Sequence, residues 1–300
     1  MEFIRSNLLR RHTSATEIIE IDLPTHPLSH LIFTIVGEQA TDEATLAEIL
    51  AFLNTITVSD VGKTILSCQS EDLYGVNCYL YGRSPILSNN ITTDDAIRTL
   101  SLIVPFGRRC YDPDECYPAR AKGEVTLYAD MTALATSIDV GMISIDCVQL
   151  PEAHPTHYMR TRQMTITAPG ATGDNEWTLP LGNELIAVQI RMTTFPTVTA
   201  LATGVNKVEL AIDEVEHYYT AAMAECMMGE NIFHVGGSPT TMALQQLLLP
   251  PNIVYMDFDP SRDGRYLLDL KNAKSAKIIA EMGVDEATNI TVMERVPVAA

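Results

Sequence analysis

A weak internal repeat relates the two halves of the chain and restricts the fold more than any other feature of the sequence. Ile103 to Phe106 corresponds to Tyr255 to Phe258, which follows it by 152 residues. The same spacing relates four further pairs: Ala121-Lys122 and Ala273-Lys274, Leu127 and Ile279, Ile138 and Ile290, Val140 and Val292. Because solenoid units hold only roughly 20–50 residues, this repeat predicts a duplicated domain.

The two halves also begin and end alike. Leu23-Pro24 and Leu179-Pro180 each precede an apolar strand, and Leu150-Pro151 and Val296-Pro297 each follow one. Compact domains usually hold about 100–200 residues, so a chain of 300 residues suits two of them.

These limits predict four segments along the chain. We expect an N-terminal arm at residues 1–16, a first jelly roll at 17–150, a connector at 151–160 and a second jelly roll at 161–300. Pro151 and Pro155 stiffen the connector, which lacks the composition of a flexible Gly/Ser linker.

Apolar and polar residues alternate with a period of two in both halves, which is typical of strands with one buried face. The clearest runs are Leu31, Phe33 and Ile35; Val125 and Leu127; Ile143 and Ile145; Val188, Ile190 and Met192; Val208, Leu210 and Ile212. Turn residues separate these runs, as in a sandwich or jelly roll. The predicted fold class is all-β: two tandem β-sandwiches with short inserted helices.

Helical patterns are few. Thr41 is predicted to cap a helix whose apolar face is Leu46, Ile49, Leu50 and Leu53. A second helix is expected from about Val215 to Met228. In the arm, the apolar and basic residues from Phe3 to Arg11 predict a short amphipathic helix.

Composition excludes several classes of protein. The net charge of −18 repels phosphate backbones and disfavours nucleic-acid wrapping. Neither an apolar run long enough to span a bilayer nor a secretory signal is present, so a soluble protein is expected. The six cysteines contain no CxxC motif and predict reduced thiols, including Cys110 and Cys116.

Candidate chemical sites are weak. Gly62-Lys63-Thr64 resembles the end of a phosphate-binding loop, but Thr57 stands where the earlier glycine is required. His154 and His157 could hold a metal only with partners that the sequence does not supply nearby.

Carboxylates form no catalytic pattern either. Asp112, Asp114 and Glu115 could bind Ca²⁺, but their spacing favours a solvated turn around Pro113. Adjacent carboxylates, Asp94-Asp95 and Asp213-Glu214, would point to opposite faces of a strand. We therefore expect no catalytic residues, no metal and no cofactor.

Two tandem sandwiches with inserted helices, a short arm and no catalytic motif resemble the double jelly-roll major capsid proteins of tailless icosahedral viruses, the PRD1/adenovirus-like lineage. The resemblance covers roughly residues 17–298. It rests on the paired strand starts at 23–24 and 179–180, the matched segments 103–106 and 255–258, and the closing strands.

The resemblance implies a structural protein of a bacteriophage virion, made in the host cytoplasm, and not an enzyme. Each half would be an eight-stranded jelly roll, and homotrimers with a pseudo-hexagonal outline would tile an icosahedral capsid. Neighbouring trimers, minor capsid or penton proteins and internal membrane lipid would be its partners. Arg5, Arg10 and Arg11 would contact the inner face or membrane.

Two other functions remain open. A carbohydrate-binding or adhesin-like jelly roll would need an exposed Trp177, the single tryptophan, beside Asp174 and Glu176. A duplicated jelly-roll enzyme would need a metal site or a nucleophile.

Overall fold

The computed structural model describes residues 2–40, 44–89, 95–166, 172–192, 204–216, 219–235, 252–285 and 287–298. The chain divides into two compact units. Unit 1 holds Met1–Leu80, Ser84–Thr161 and Pro297–Ala300, and unit 2 holds Tyr81–Arg83 and Arg162–Val296. The predicted boundaries at residues 17, 150 and 161 stay predictions.

The first nine strands form two antiparallel sheets in unit 1. They are β1 (Ile4–His12), β2 (Glu17–Asp22), β3 (Leu28–Gln39), β4 (Leu53–Asp60), β5 (Lys63–Gln69), β6 (Ile86–Asn89), β7 (Ile97–Pro105), β8 (Val125–Met131) and β9 (Ile138–Gln149). One sheet has the order β1-β9-β3-β7-β6, and the other contains β5-β4-β8-β2. The predicted alternation is confirmed in β3, where Leu31, Phe33 and Ile35 are buried.

The remaining strands build the sheets of unit 2, except that residues 157–161 and 297 fall in unit 1. They are β10 (His157–Ile166), β11 (Gly173–Thr178), β12 (Glu184–Met192), β13 (Val205–Ile212), β14 (Val215–Glu216), β15 (Ala222–Met223), β16 (Ile253–Asp257), β17 (Leu268–Asp269), β18 (Ala276–Met282) and β19 (Thr288–Pro297). One sheet contains β16-β12-β19-β10, with β17 also on β12. The other is β11-β18-β13-β14, with β15 also on β13.

The two halves share one strand topology, which confirms the predicted duplication. The order β1-β9-β3-β7 has its counterpart in β10-β19-β12-β16, and β2-β8-β4-β5 in β11-β18-β13-β14. Each set contains eight strands in two sheets, as in a jelly roll. The segments matched by sequence lie in equivalent strands: Val104 in β7 with Met256 in β16, and Leu127 in β8 with Ile279 in β18.

In the described part of the chain, three short helices interrupt the strands: α1 (Leu46–Phe52), α2 (Ser70–Tyr81) and α3 (Ala224–Val235). Helix α1 contains Leu46, Ile49 and Leu50 of the predicted apolar face, whereas Leu53 begins β4. Its cap is Thr45, whose hydroxyl accepts from the Glu48 N–H at 3.2 Å, while the Glu48 carboxylate accepts from the Thr45 N–H. The predicted cap Thr41 lies outside the described residues. Helix α2 was not predicted, because it is buried nearly all round and shows no amphipathic period.

Two helix predictions were wrong in place or type. The N-terminal segment is strand β1 and not an amphipathic helix, since its backbone pairs with β9 from Ile4 to His12. An isolated helix of that length is only marginally stable in water. An open sheet edge, by contrast, offers N–H and C=O groups with which the backbone of this segment can pair. Helix α3 begins at Ala224, because Val215–Glu216 and Ala222–Met223 pair with β13 instead.

Candidate assembly surfaces

Strand β1 is one edge of a sheet in unit 1. Its hydrogen-bonded neighbour among the described strands is β9, with Ile4 opposite Gln149 and His12 opposite Met142. On its other side, an edge strand presents unpaired N–H and C=O groups that can receive a strand of another chain. The nine residues of β1 therefore form a long, open edge.

The three arginines predicted to make an inner contact all lie on β1, and two of them pair with carboxylates of other strands. Arg5 donates from Nε to Asp146 Oδ2 at 2.7 Å, and Arg11 pairs with Glu17 at 2.5 Å. Burial alone would raise the pKa of Asp146, but hydrogen bonds from Asn7 and Arg5 hold it below its ordinary value. Arg10 is exposed. Contact of these arginines with an inner layer stays a prediction.

An aromatic cluster adjoins the beginning of β1. The rings of Phe3 and Tyr111 meet edge to face with centroids 5.3 Å apart, and Tyr111 meets His30 in the same way at 5.1 Å. Phe3 and Tyr111 are 58% and 44% exposed. Since Ile4 is also exposed over 43% of its surface, this end of the edge is apolar as well as open.

Unit 2 has a second open edge, formed by β14 and β15. Both strands pair with β13, whose opposite side pairs with β18. Val215 on β14 and Met223 on β15 are 59% and 49% exposed. The turn before β14 holds Glu214, which is exposed and lines a surface hollow with other charged residues: Glu176, Glu209 and Lys277.

The acidic loop from Asp112 to Glu115 does not gather its carboxylates around one point. Asp112 accepts the backbone N–H of Asp114 at 3.0 Å, as expected for a turn. Glu115 is buried and pairs with Arg108 at 2.7 Å. Cys110 and Cys116, which flank this loop, are not joined by a disulfide in the structure.

The remaining sequence candidates have local structural roles. Gly62 and Val61 form the tight turn between β4 and β5, both with positive φ. His157 Nδ1 lies 2.9 Å from the Thr156 hydroxyl, and His154 is exposed. Asp213 accepts two backbone N–H groups of the neighbouring loop, from Lys274 and Ser275. Asp94 lies outside the described residues.

Trp177 is buried in the core of unit 2, with only 6% of its surface exposed. Its ring therefore offers no platform on which a sugar could stack. Within the described ranges, no three His, Cys, Asp or Glu side chains cluster as metal ligands would. No described helix is both long and apolar enough to cross a membrane.

Known proteins resemble this chain in fold but not in sequence. No family model matches the sequence, and neither does any curated protein. Solved structures do match: the major capsid protein P2 of bacteriophage PM2 has a TM-score of 0.67 at 14% identity, over 99% of this chain and 98% of that one. The fold is the double jelly roll of viral capsid proteins.

Other double jelly rolls match over similar lengths. A chain of Sulfolobus Turreted Icosahedral Virus has a TM-score of 0.77 at 12% identity, covering 99% of this chain and 91% of that one. The PBCV-1 protein VP54 has a TM-score of 0.66 at 10% identity, with coverage of 98% and 94%. The double jelly roll thus accounts for nearly the whole chain.

Proposed function

We propose that the protein is a major capsid protein whose homotrimers tile an icosahedral shell. One observation carries the proposal: both jelly rolls, and nearly the full length of the chain, correspond to viral major capsid proteins. A partial match would have indicated a shared domain only. The virion is then the site of action, after synthesis in the host cytoplasm.

Duplication has a physical purpose in such a shell. A trimer of a protein with two similar units presents six similar surfaces, so that near-identical contacts can be repeated around a hexagonal outline. Neighbouring trimers would be the main partners, with minor capsid or penton proteins at the corners of the shell. Internal membrane lipid near Arg5, Arg10 and Arg11 is a further proposed partner.

Solution mass tests this proposal directly. Light scattering coupled to size-exclusion chromatography should give a mass near three times 33.0 kDa. Negative-stain images of the same peak should show a hexagonal outline. A protein that stays monomeric at high concentration would contradict the capsid function.

The carbohydrate-binding alternative needed an exposed Trp177, and Trp177 is buried. Sugar binding by stacking needs an exposed aromatic face. Glycan-array binding that persists in a Trp177→Phe variant would require another site and would revive that alternative.

A further inference from the structure

Two open edges carry complementary groups, one in each unit. We propose that the β1 edge of one copy binds the β14–β15 edge of a second copy, with Arg10 placed against Glu214. This inference rests on the proposed function, since it names the contact by which copies of the chain associate.

The first argument is the backbone of the two edges. Strand β1 is nine residues long and pairs with β9 as its one neighbour among the described strands. Strands β14 and β15 likewise pair with β13 alone within the part of the chain that the structure describes. An exposed sheet edge can add an extended segment of another chain through main-chain hydrogen bonds. Each edge therefore offers the other a set of donors and acceptors.

The second argument is the chemistry of the two edges. Arg10 is exposed and has no ion-pair partner among the described residues. Glu214, in the turn before β14, is likewise exposed, and it lines a hollow with Glu176, Glu209 and Lys277, of which Glu176 and Lys277 pair with each other. An exposed arginine on one edge and an exposed carboxylate beside the other attract each other and fix the register of docking.

The third argument is apolar surface. Phe3 and Ile4 at the beginning of β1 are 58% and 43% exposed, and Val215 and Met223 on the opposite edge are 59% and 49% exposed. Proteins commonly place charged side chains on exposed sheet edges to prevent aggregation. Large exposed apolar side chains promote association instead. Their presence on both edges therefore favours a contact that buries them.

Each copy carries both edges, so the contact is heterologous. In a dimer, a heterologous contact leaves one β1 edge and one β14–β15 edge unpaired. All edges are paired only when the copies close into a ring. A closed trimer uses three such contacts and leaves neither edge open.

Charge reversal tests the contact. Arg10→Glu and Glu214→Arg should each raise the trimer dissociation constant about tenfold, measured by sedimentation equilibrium in dilution series, because each places like charges together. The double variant restores the attraction and should return the constant to near the wild-type value. Lys122→Glu reverses an exposed charge elsewhere and is the matched control.

The outcomes separate this inference from the proposed function. If the wild-type protein is a trimer and neither single reversal weakens it, the contact is wrong while the capsid function stands. If the wild-type protein is monomeric, the capsid function itself fails. Retained trimers with lost binding of Arg10→Glu to anionic phosphatidylglycerol vesicles would overturn the contact and assign β1 to a membrane surface.

A second readout follows the backbone. In hydrogen exchange, the β1 peptide should be more protected in wild-type trimers than in monomers obtained by dilution of Arg10→Glu. Equal exchange of β1 in the two states would contradict strand docking. Thermal melting of each variant checks that the fold is intact.

Discussion

Arg108 and Glu115 form a buried ion pair inside the loop that joins β7 to β8. Their Nη2 and Oε2 atoms are 2.7 Å apart, and the exposed fractions of the two side chains are 13% and 4%. Glu115 also accepts the backbone N–H of Arg108 at 3.1 Å. The pair thus closes the loop that presents Tyr111 beside Phe3.

Removing one partner of this pair should destabilise unit 1. Glu115→Ala removes the carboxylate beside the buried Arg108 charge, at an expected cost of about 3 kcal/mol in the free energy of unfolding. Urea denaturation measures this cost. Asp114→Ala removes an exposed carboxylate one residue away and should lower the free energy of unfolding far less. If both variants lose the same free energy of unfolding, the ion pair does not stabilise the loop.

Gly107 stands where no side chain fits. A Cβ there would collide with the backbone carbonyl oxygen of Glu115, which cannot move as a flexible side chain could. Gly107→Ala should therefore lower the free energy of unfolding by about 1–3 kcal/mol.

The matched control for this change is Gly229→Ala. Gly229 lies in α3, and a Cβ added there would meet open space. Alanine favours helix over glycine by up to about 1 kcal/mol, so this variant should be as stable as the wild type or more so. A stable Gly107→Ala protein would show that the loop can shift to admit a methyl group.

His30 should make the fold sensitive to acid. Burial, with a smaller effect of the Arg5 charge, lowers the pKa of His30 to about 4 from 6.5. Between about pH 6.5 and pH 4, His30 therefore binds a proton in the unfolded chain but not in the folded protein. The free energy of unfolding thus falls as the pH drops through this range. The full loss amounts to about 3 kcal/mol.

Denaturant midpoints measured across that pH range check the effect. His30→Gln should flatten the dependence, whereas replacement of the exposed His26 by Gln should leave it unchanged. An unchanged slope in His30→Gln would assign the acid sensitivity to other groups.

The cysteines should separate into two classes of reactivity. Burial raises the pKa of Cys116 and of Cys147 to about 12, and it also raises the pKa of Cys68 and of Cys78. Thiolates are the reactive form, so these four thiols should react only after unfolding.

Cys226 is exposed and Cys110 is partly exposed, so both should react in the folded protein. Titration with a chromogenic disulfide reagent, before and after denaturation, counts the two classes. Cys226→Ser should remove the faster native phase. Rapid reaction of all six thiols in the folded protein would contradict the burial of the elements that carry them.

Several elements could be predicted from the sequence because their signals are local. Alternation identified β3 through Leu31, Phe33 and Ile35, and the offset of 152 residues paired Val104 with Met256 in equivalent strands. The apolar face of α1 was likewise visible in its spacing. Helix α2 could not be predicted in this way, because burial on all sides removes the polar face on which the period depends.

The sequence by itself determined the all-β class, the duplication and the lack of any catalytic motif, since each depends on short patterns or on their repetition. Only the tertiary structure decided that residues 4–12 form a strand, that Trp177 is buried, and that Arg10 lies on an open edge while Glu214 lies in the turn beside another. These properties depend on which strands pair. Strand pairing joins residues that are far apart in the chain, such as Ile4 and Gln149, so it cannot be predicted from a local sequence pattern.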